Sequence, residues 1–325
     1  MATLTIPHPV PSAAEDAEHI RKAVQGWGTD EKALILVLAH RDAAQRKHIQ
    51  LAYEEMYNEN LIKRLESELT GHFERAVYRW IFDPIEREAV MAYVALKKAF
   101  NYQVIIEIAC VNSSKELLAV KEAYQARYKH SLEEDVAAHT VGDFRKARRP
   151  LENFCIFSLL LVALVSTYRY GGDEIDISLA KSEARILQDV IKQKKLNHEE
   201  TIRILGTRSK AQLNATFNCY REDYGTPIEE SLAGEAPNEF ASALRMAIGC
   251  IVNPQPYFVE VLHDALSKPD TDEDTLTRLI VMHAEKDLRG IKEMFQSRNN
   301  VPLDLAVRQK TSGDYKTFLL ALIGN

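Results

Sequence analysis

Apolar residues return every three to four positions through "KALILVLAHR" (32–41), "AQRKHIQLAYEEMY" (44–57), "NLIKRLESEL" (60–69) and "HFERAVYRWIF" (72–82). That spacing paints one face of an α-helix, and each run is short enough to be a helix of its own. No run alternates apolar and polar residues as a half-buried strand would. The same pattern then comes back. Thirty residues after Arg41 stands Gly71, and the interval recurs from Asn112 to Gly142, from Arg208 to Asn238 and from His283 to Gly313.

Aromatic residues keep step with these anchors. Tyr53, Tyr124, Tyr220 and Phe295 follow them by 12 positions, and Phe73, Phe144, Phe240 and Tyr315 by 32. At 8% aromatic content, eight matched slots establish a fourfold repeat of roughly 70 to 80 residues. The aromatics are expected to plug the cores of their units. Each unit reads as about five helices, so the fold class is all-α. The arm 1–11 precedes repeats at 12–83, 84–170, 171–253 and 254–325, with joints at Pro84, "GGDEIDIS" (171–178) and Pro254. The second repeat carries an insert, 147–159. There the last helix either bulges into a loop or is rebuilt from Phe154 onward, because Pro150 does not suit a helix interior.

Composition narrows the function. At 325 residues the chain exceeds the usual size of a single core. A net charge of -6 argues against a nucleic-acid protein that relies on a broad basic surface, and equally against unaided attraction to anionic lipid. Cys110, Cys155, Cys219 and Cys250 form no CxxC pair, which fits a reducing compartment better than a disulfide frame or a zinc site. The N-terminus has no basic region followed by an apolar run. The longest nearly apolar stretch, 154–165, falls short of the roughly 20 residues that span a bilayer. A soluble protein is expected.

One loop asks for chemistry. "QGWGTDE" (25–31) holds Trp27 between Gly26 and Gly28, just before a helix. As a plain helix start, the glycines would make a tight turn, Thr29 would cap, and Asp30 and Glu31 would suit the first turn. The equivalents of Gly28 in the other repeats are Ala99, Lys195 and Asp270, so the helix begins without the glycines. Forty residues on lies Glu68, whose equivalents are His139, Glu235 and Lys310. Only the first repeat combines the glycine loop with the acid. Carbonyls turned outward by glycines and closed by one carboxylate are hard oxygen ligands of the kind Ca²⁺ takes.

The "GxGTD" loop, the later acid in "ELTGHFE" and four repeats together resemble the annexin family over about residues 12–325. Degraded middle loops and the short arm are similar to plant-type members. The resemblance implies four repeats packed in one slightly curved array, and calcium-dependent binding to anionic phospholipid. It implies Ca²⁺ as the cofactor, held by the carbonyls of Val24, Gly26 and Gly28 and the Glu68 carboxylate. Trp27 would touch the membrane, since indole favours that interface. The expected place is the cytoplasm, peripheral to membranes when calcium rises, under stress for example.

The fourth repeat departs from the family pattern. Lys268 and Asp270 stand in its loop and Lys310 in the acid's place, so that site reads as degraded. The acids 270, 272 and 274 hint at an EF-hand opening, but Thr275 replaces its glycine, and an acid-rich helix start is the better reading. The alternative functions are a peroxidase-like or nucleotide-hydrolysing enzyme, and a calcium-independent helical scaffold with an actin or protein partner. His40 resembles a histidine proposed for haem contact, and "IRI" (202–204) an actin-contact tripeptide. There is no phosphate-cradling glycine loop with lysine, and "DLRG" (287–290) is a pattern that chance supplies freely. A non-enzyme is expected.

Overall fold

The computed structural model describes residues 1–26, 28–97, 100–146, 151–166, 169–233 and 239–324, without the side chains of 140–146 and 151–156. Among them are twenty α-helices and no strand, five helices to a repeat. The first repeat has α1 (Ala13–Ala23), α2 (Glu31–Leu38), α3 (Ala43–Tyr57), α4 (Leu61–Glu68) and α5 (Gly71–Ile81). The second has α6 (Pro84–Lys97), α7 (Tyr102–Val111), α8 (Ser114–Tyr128), α9 (Leu132–Lys146) and α10 (Leu151–Val165). In the third are α11 (Ile177–Lys192), α12 (Glu199–Thr207), α13 (Lys210–Tyr224), α14 (Ile228–Ala233) and α15 (Glu239–Val252). The fourth comprises α16 (Pro254–Ser267), α17 (Glu273–His283), α18 (Leu288–Asn299), α19 (Leu303–Lys310) and α20 (Gly313–Ile323). Pro84 and Pro254 each take the first position of a helix, where the missing N–H costs nothing.

The anchor residues prove to be polar ties. Arg41 pairs with Asp16 of α1 at 2.6 Å, both fully inside the core. Arg208 pairs with Glu183 of α11 at 2.8 Å, and Asn112 donates to Glu88 of α6. In the fourth repeat the tie becomes a ring contact, His283 against Phe258 at 4.2 Å. Each tie joins the end of a second helix to the first. One residue later, Asp42, Ser113 and Ser209 cap α3, α8 and α13. Those third helices, and α18, all stop on a left-handed residue: Asn58, Lys129, Gly225 and Asn300.

The expected aromatic plugs lie inside. Tyr53, Tyr124 and Tyr220 have no exposure, and Phe295, Phe73, Phe240 and Tyr315 are buried too. The side chain of Phe144 lies outside the described residues. Each buried phenol finds a partner, Tyr53 at Glu59, Tyr124 at Asp135 and Tyr220 at Gln188.

The chain forms two compact units, one of Met1–Arg87 with Phe258–Asn325 and one of Glu88–Tyr257. In the first unit α5 packs on α17 and α20, and α2 on α20. Phe73 meets Phe318 edge-on at 5.7 Å, and Arg79 donates to Asp274 at 2.5 Å. The second unit repeats the arrangement, with α7 on α15 and α10 on α7 and α12. Within each unit, then, the second and fifth helices of two repeats bury each other's apolar faces.

In the second repeat α9 runs on to Lys146, and α10 begins at Leu151, three residues ahead of Phe154. Leu151 directly follows Pro150, a residue that suits the entry to a helix better than its interior. The expected insert lies partly outside the described residues, at 147–150.

Candidate functional site

Loop 24–30 joins α1 to α2 and is closed at its base by the Asp30 amide donating to the Ala23 carbonyl at 2.9 Å. Asp272 to Ala265 in the fourth repeat, at 3.0 Å, and Asn101 to Ala95 in the second, at 2.9 Å, close in the same way. The backbone inside differs. Gly26 (φ 105°) and Gly28 (φ 89°) both adopt left-handed conformations that a side chain would strain. Residues 266–271 contain no such conformation.

The helix cap corrects the expectation for Thr29. Asp30 is the N-cap of α2, its carboxylate accepting from the Ala33 amide at 3.0 Å. The Thr29 hydroxyl instead donates across the loop to Glu68 Oε2 at 3.3 Å. Glu68 is the last residue of α4 and one-fifth exposed (22%). An acid there faces the negative end of the helix dipole and calls for a nearby cation.

The cation is a guanidinium. Arg64 Nη2 donates to the Val24 carbonyl at 2.5 Å and lies 3.0 Å from Glu68 Oε1. Val24, though fully buried, therefore presents its carbonyl oxygen to the same point in space as the Glu68 carboxylate. The structure thus joins Val24, Thr29 and Glu68, and holds Gly26 and Gly28 in the loop between them. Trp27 lies outside the described residues. Sequence reasoning missed Arg64, whose spacing from Glu68 looks like an ordinary ion pair along a helix.

This arrangement fits a hard divalent ion. A positive group already bridges one carbonyl and one carboxylate, and the two glycines leave open space beside them. Among the described residues no cluster of three or more His, Cys, Asp or Glu side chains is set to hold a metal. A site made of backbone carbonyls and one acid does not need such a cluster.

The fourth repeat is built otherwise. Lys310 ends α19 as Glu68 ends α4, exposed, and puts an ammonium in the acid's place. Asp272 caps α17 by accepting from Thr275, and Lys268 Nζ binds its other oxygen at 3.0 Å. Asp270 is exposed in the loop. In the second repeat His139 sits within α9, donating to the Asp135 carbonyl at 2.7 Å; Ala99 and Glu235 lie outside the described residues.

His40 ties down the N-terminal arm, its Nδ1 donating to the Thr5 carbonyl at 2.8 Å. Thr3 extends that contact, its hydroxyl donating to the Leu322 carbonyl at 2.6 Å. In the "IRI" stretch Ile204 is buried and Arg203 pairs with Glu200 at 2.6 Å. Cys110, Cys219 and Cys250 are buried free thiols, and burial pushes the Cys110 thiol up to about 11. Such a thiol is not ionised near neutral pH and makes a poor nucleophile. Among the described residues no helix is long and apolar enough to cross a membrane.

The family model described as Annexin matches residues 15–80, 89–151, 182–247 and 257–322. The chain belongs to the annexin family. This annexin is 58% identical to annexin-like protein RJ4 of Fragaria ananassa, over 100% of this chain and 99% of that one. It is 46% identical to annexin Gh1 of Gossypium hirsutum, with the same coverage of both chains. Among solved structures, chicken annexin V in complex with Zn²⁺ superposes with a TM-score of 0.87 at 32% identity, over 99% of this chain and 98% of that one. The calcium-bound annexin (Sm)1 gives 0.78 at 26% identity, covering 100% of this chain and 93% of that chain. Four repeats of helices, expected from the anchors and aromatics, are therefore the annexin fold.

Proposed function

We propose that this annexin is a peripheral membrane protein that joins anionic phospholipid through a calcium ion held in its first repeat. One observation carries the reading: a loop with left-handed backbone at Gly26 and Gly28 lies against Glu68, and a cation already bridges Val24 O to that carboxylate. The carbonyls of Val24, Gly26 and Gly28 and the carboxylate of Glu68 would hold the ion. Bound there, calcium supplies a positive charge with coordination positions left for water or a lipid phosphate. A chain of net charge -6 is repelled by an anionic bilayer, so the ion is what makes association favourable. Thr29 orients the carboxylate, and Asp30 fixes the loop to α2.

Trp27, at the tip of the glycine loop in sequence, is assigned to the membrane interface. The protein acts by binding rather than catalysis, in the cytoplasm, moving to membranes as calcium rises. The repeat limits 12–83, 84–170, 171–253 and 254–325 are proposed on the same footing.

Co-sedimentation with phosphatidylserine vesicles tests the reading. The wild type is expected to pellet with calcium and stay in solution with a chelator, while Glu68→Gln loses most of the calcium-dependent fraction. Tryptophan emission from the same samples should shift to the blue only when calcium and vesicles are both present. Trp80 is fully buried and hydrogen-bonded to Leu38 O, so the shift should vanish in Trp27→Phe. Binding that ignores calcium would favour a calcium-independent scaffold, and binding that survives Glu68→Gln would sink the first-repeat site.

A further inference from the structure

Arg64 is more than a surface partner for Glu68. One nitrogen, Nη2, reaches both the first carbonyl of the loop and the carboxylate that closes it, at 2.5 Å and 3.0 Å. These are oxygens that a calcium ion would need at 2.3–2.6 Å, so guanidinium and ion compete for the same ligands. The order along α4 also matters. An arginine four residues before an acid, with the acid at the helix C-terminus, is the weaker orientation for a helix pair. The contact therefore owes less to helix stabilisation than the reverse order would. Nor is the guanidinium fully satisfied, since its Nε is buried without a hydrogen-bond partner.

A second acid stands nearby. Arg64 Nη1 is 3.9 Å from Glu59 Oε1, and Glu59 is held in place by Arg21 and by the Tyr53 hydroxyl, which donates at 3.1 Å. A small swing about the arginine side chain, which is about one-quarter exposed (27%), would exchange Val24 O and Glu68 for Glu59.

We propose that Arg64 is a tethered counter-ion: it closes the calcium site in the metal-free protein, is displaced toward Glu59 when calcium enters, and so sets the calcium concentration at which this annexin responds. The inference rests on the first-repeat site proposed above. Without calcium, the guanidinium neutralises Glu68 and pins the loop through Val24 O. With calcium, the same oxygens turn to the ion, and the displaced charge finds an acid already in position.

Calorimetric titration of the full chain with calcium chloride, without vesicles, tests this. Arg64→Gln is expected to bind calcium about three- to tenfold more tightly than wild type, the loss of a competing charge-assisted contact. Arg185→Gln, the same change of net charge at an exposed position of α11, should leave the affinity where it was. Amide hydrogen exchange across 24–30 supplies a readout that a mere field effect would not move. In metal-free Arg64→Gln the loop should exchange faster than in wild type, and calcium should restore its protection. Arg64→Lys keeps the charge but not the fork and should fall between the two, which serves if the glutamine variant folds poorly. Equal or weaker calcium affinity in Arg64→Gln, with unchanged loop exchange, would overturn the latch while leaving the site intact. If the wild type and every variant bind no calcium, either free or when the titration is repeated on phosphatidylserine vesicles, the first-repeat site itself fails, and the latch with it.

Discussion

Arg46 lies over the Trp80 ring at 3.8 Å with no exposure to solvent, and a permanent cation in that position needs a fixed counter-charge. Glu285 supplies it, at 2.9 Å from Arg46 and 3.2 Å from Arg87. Burial alone would raise the Glu285 carboxyl, but hydrogen bonds and charge from the two arginines outweigh it and hold it below the usual carboxylate range. A depressed native value means that the pair stabilises the fold above the unfolded carboxyl's pKa of about 4.3 and loses that contribution as pH falls through the native value. Glu285→Ala should therefore cost about 3 kcal/mol near neutral pH, by leaving Arg46 buried and unpaired. In denaturant melts the gap to wild type should close as the buffer is taken from pH 5 into the acid range. A gap that stays constant would show that the charge of Glu285 is not what stabilises the core.

At the level of helices and loops, the repeat was legible because each tie and plug recurs at a fixed spacing from its anchor. What escaped were positions where chemistry differs but backbone does not. Asn58, Lys129, Gly225 and Asn300 all hold the same left-handed cap, and no single residue type marks it. The cap of α2 was misplaced by one residue because Thr29 and Asp30 both suit that role, and only the pull of Glu68 on the threonine hydroxyl decides between them. The start of α10 could not be fixed while Pro150 allowed two continuations. Arg64 was hidden by its resemblance to a surface ion pair.

The same comparison explains the fourth repeat, whose loop closes as the first does but lacks both the left-handed turn and the acid. Asp270→Gly with Lys310→Glu should supply both, and should lower the calcium needed for half-maximal vesicle binding at fixed lipid composition and ionic strength. A second bridging point adds avidity of up to about 10² or more, whereas either change alone should do little. No shift in the double variant would mean that the Lys268–Asp272 pair, not the missing ligands, keeps that loop from acting.

For the molecule as a whole, two repeats in each unit share one core through their second and fifth helices, while the loops that carry chemistry stay outside that core. The fold thus tolerates four different loop sequences, and the proposed calcium site falls on the first loop, where left-handed backbone lies against an acid. On the function proposed here, a single calcium site in the first repeat couples this acidic annexin to lipid. Equilibrium calcium binding to the full chain on phosphatidylserine vesicles tests it most directly. One tight site per chain is expected, abolished in Glu68→Gln and retained in Lys310→Ala. A tight site that persists in Glu68→Gln, or disappears in Lys310→Ala, would contradict it.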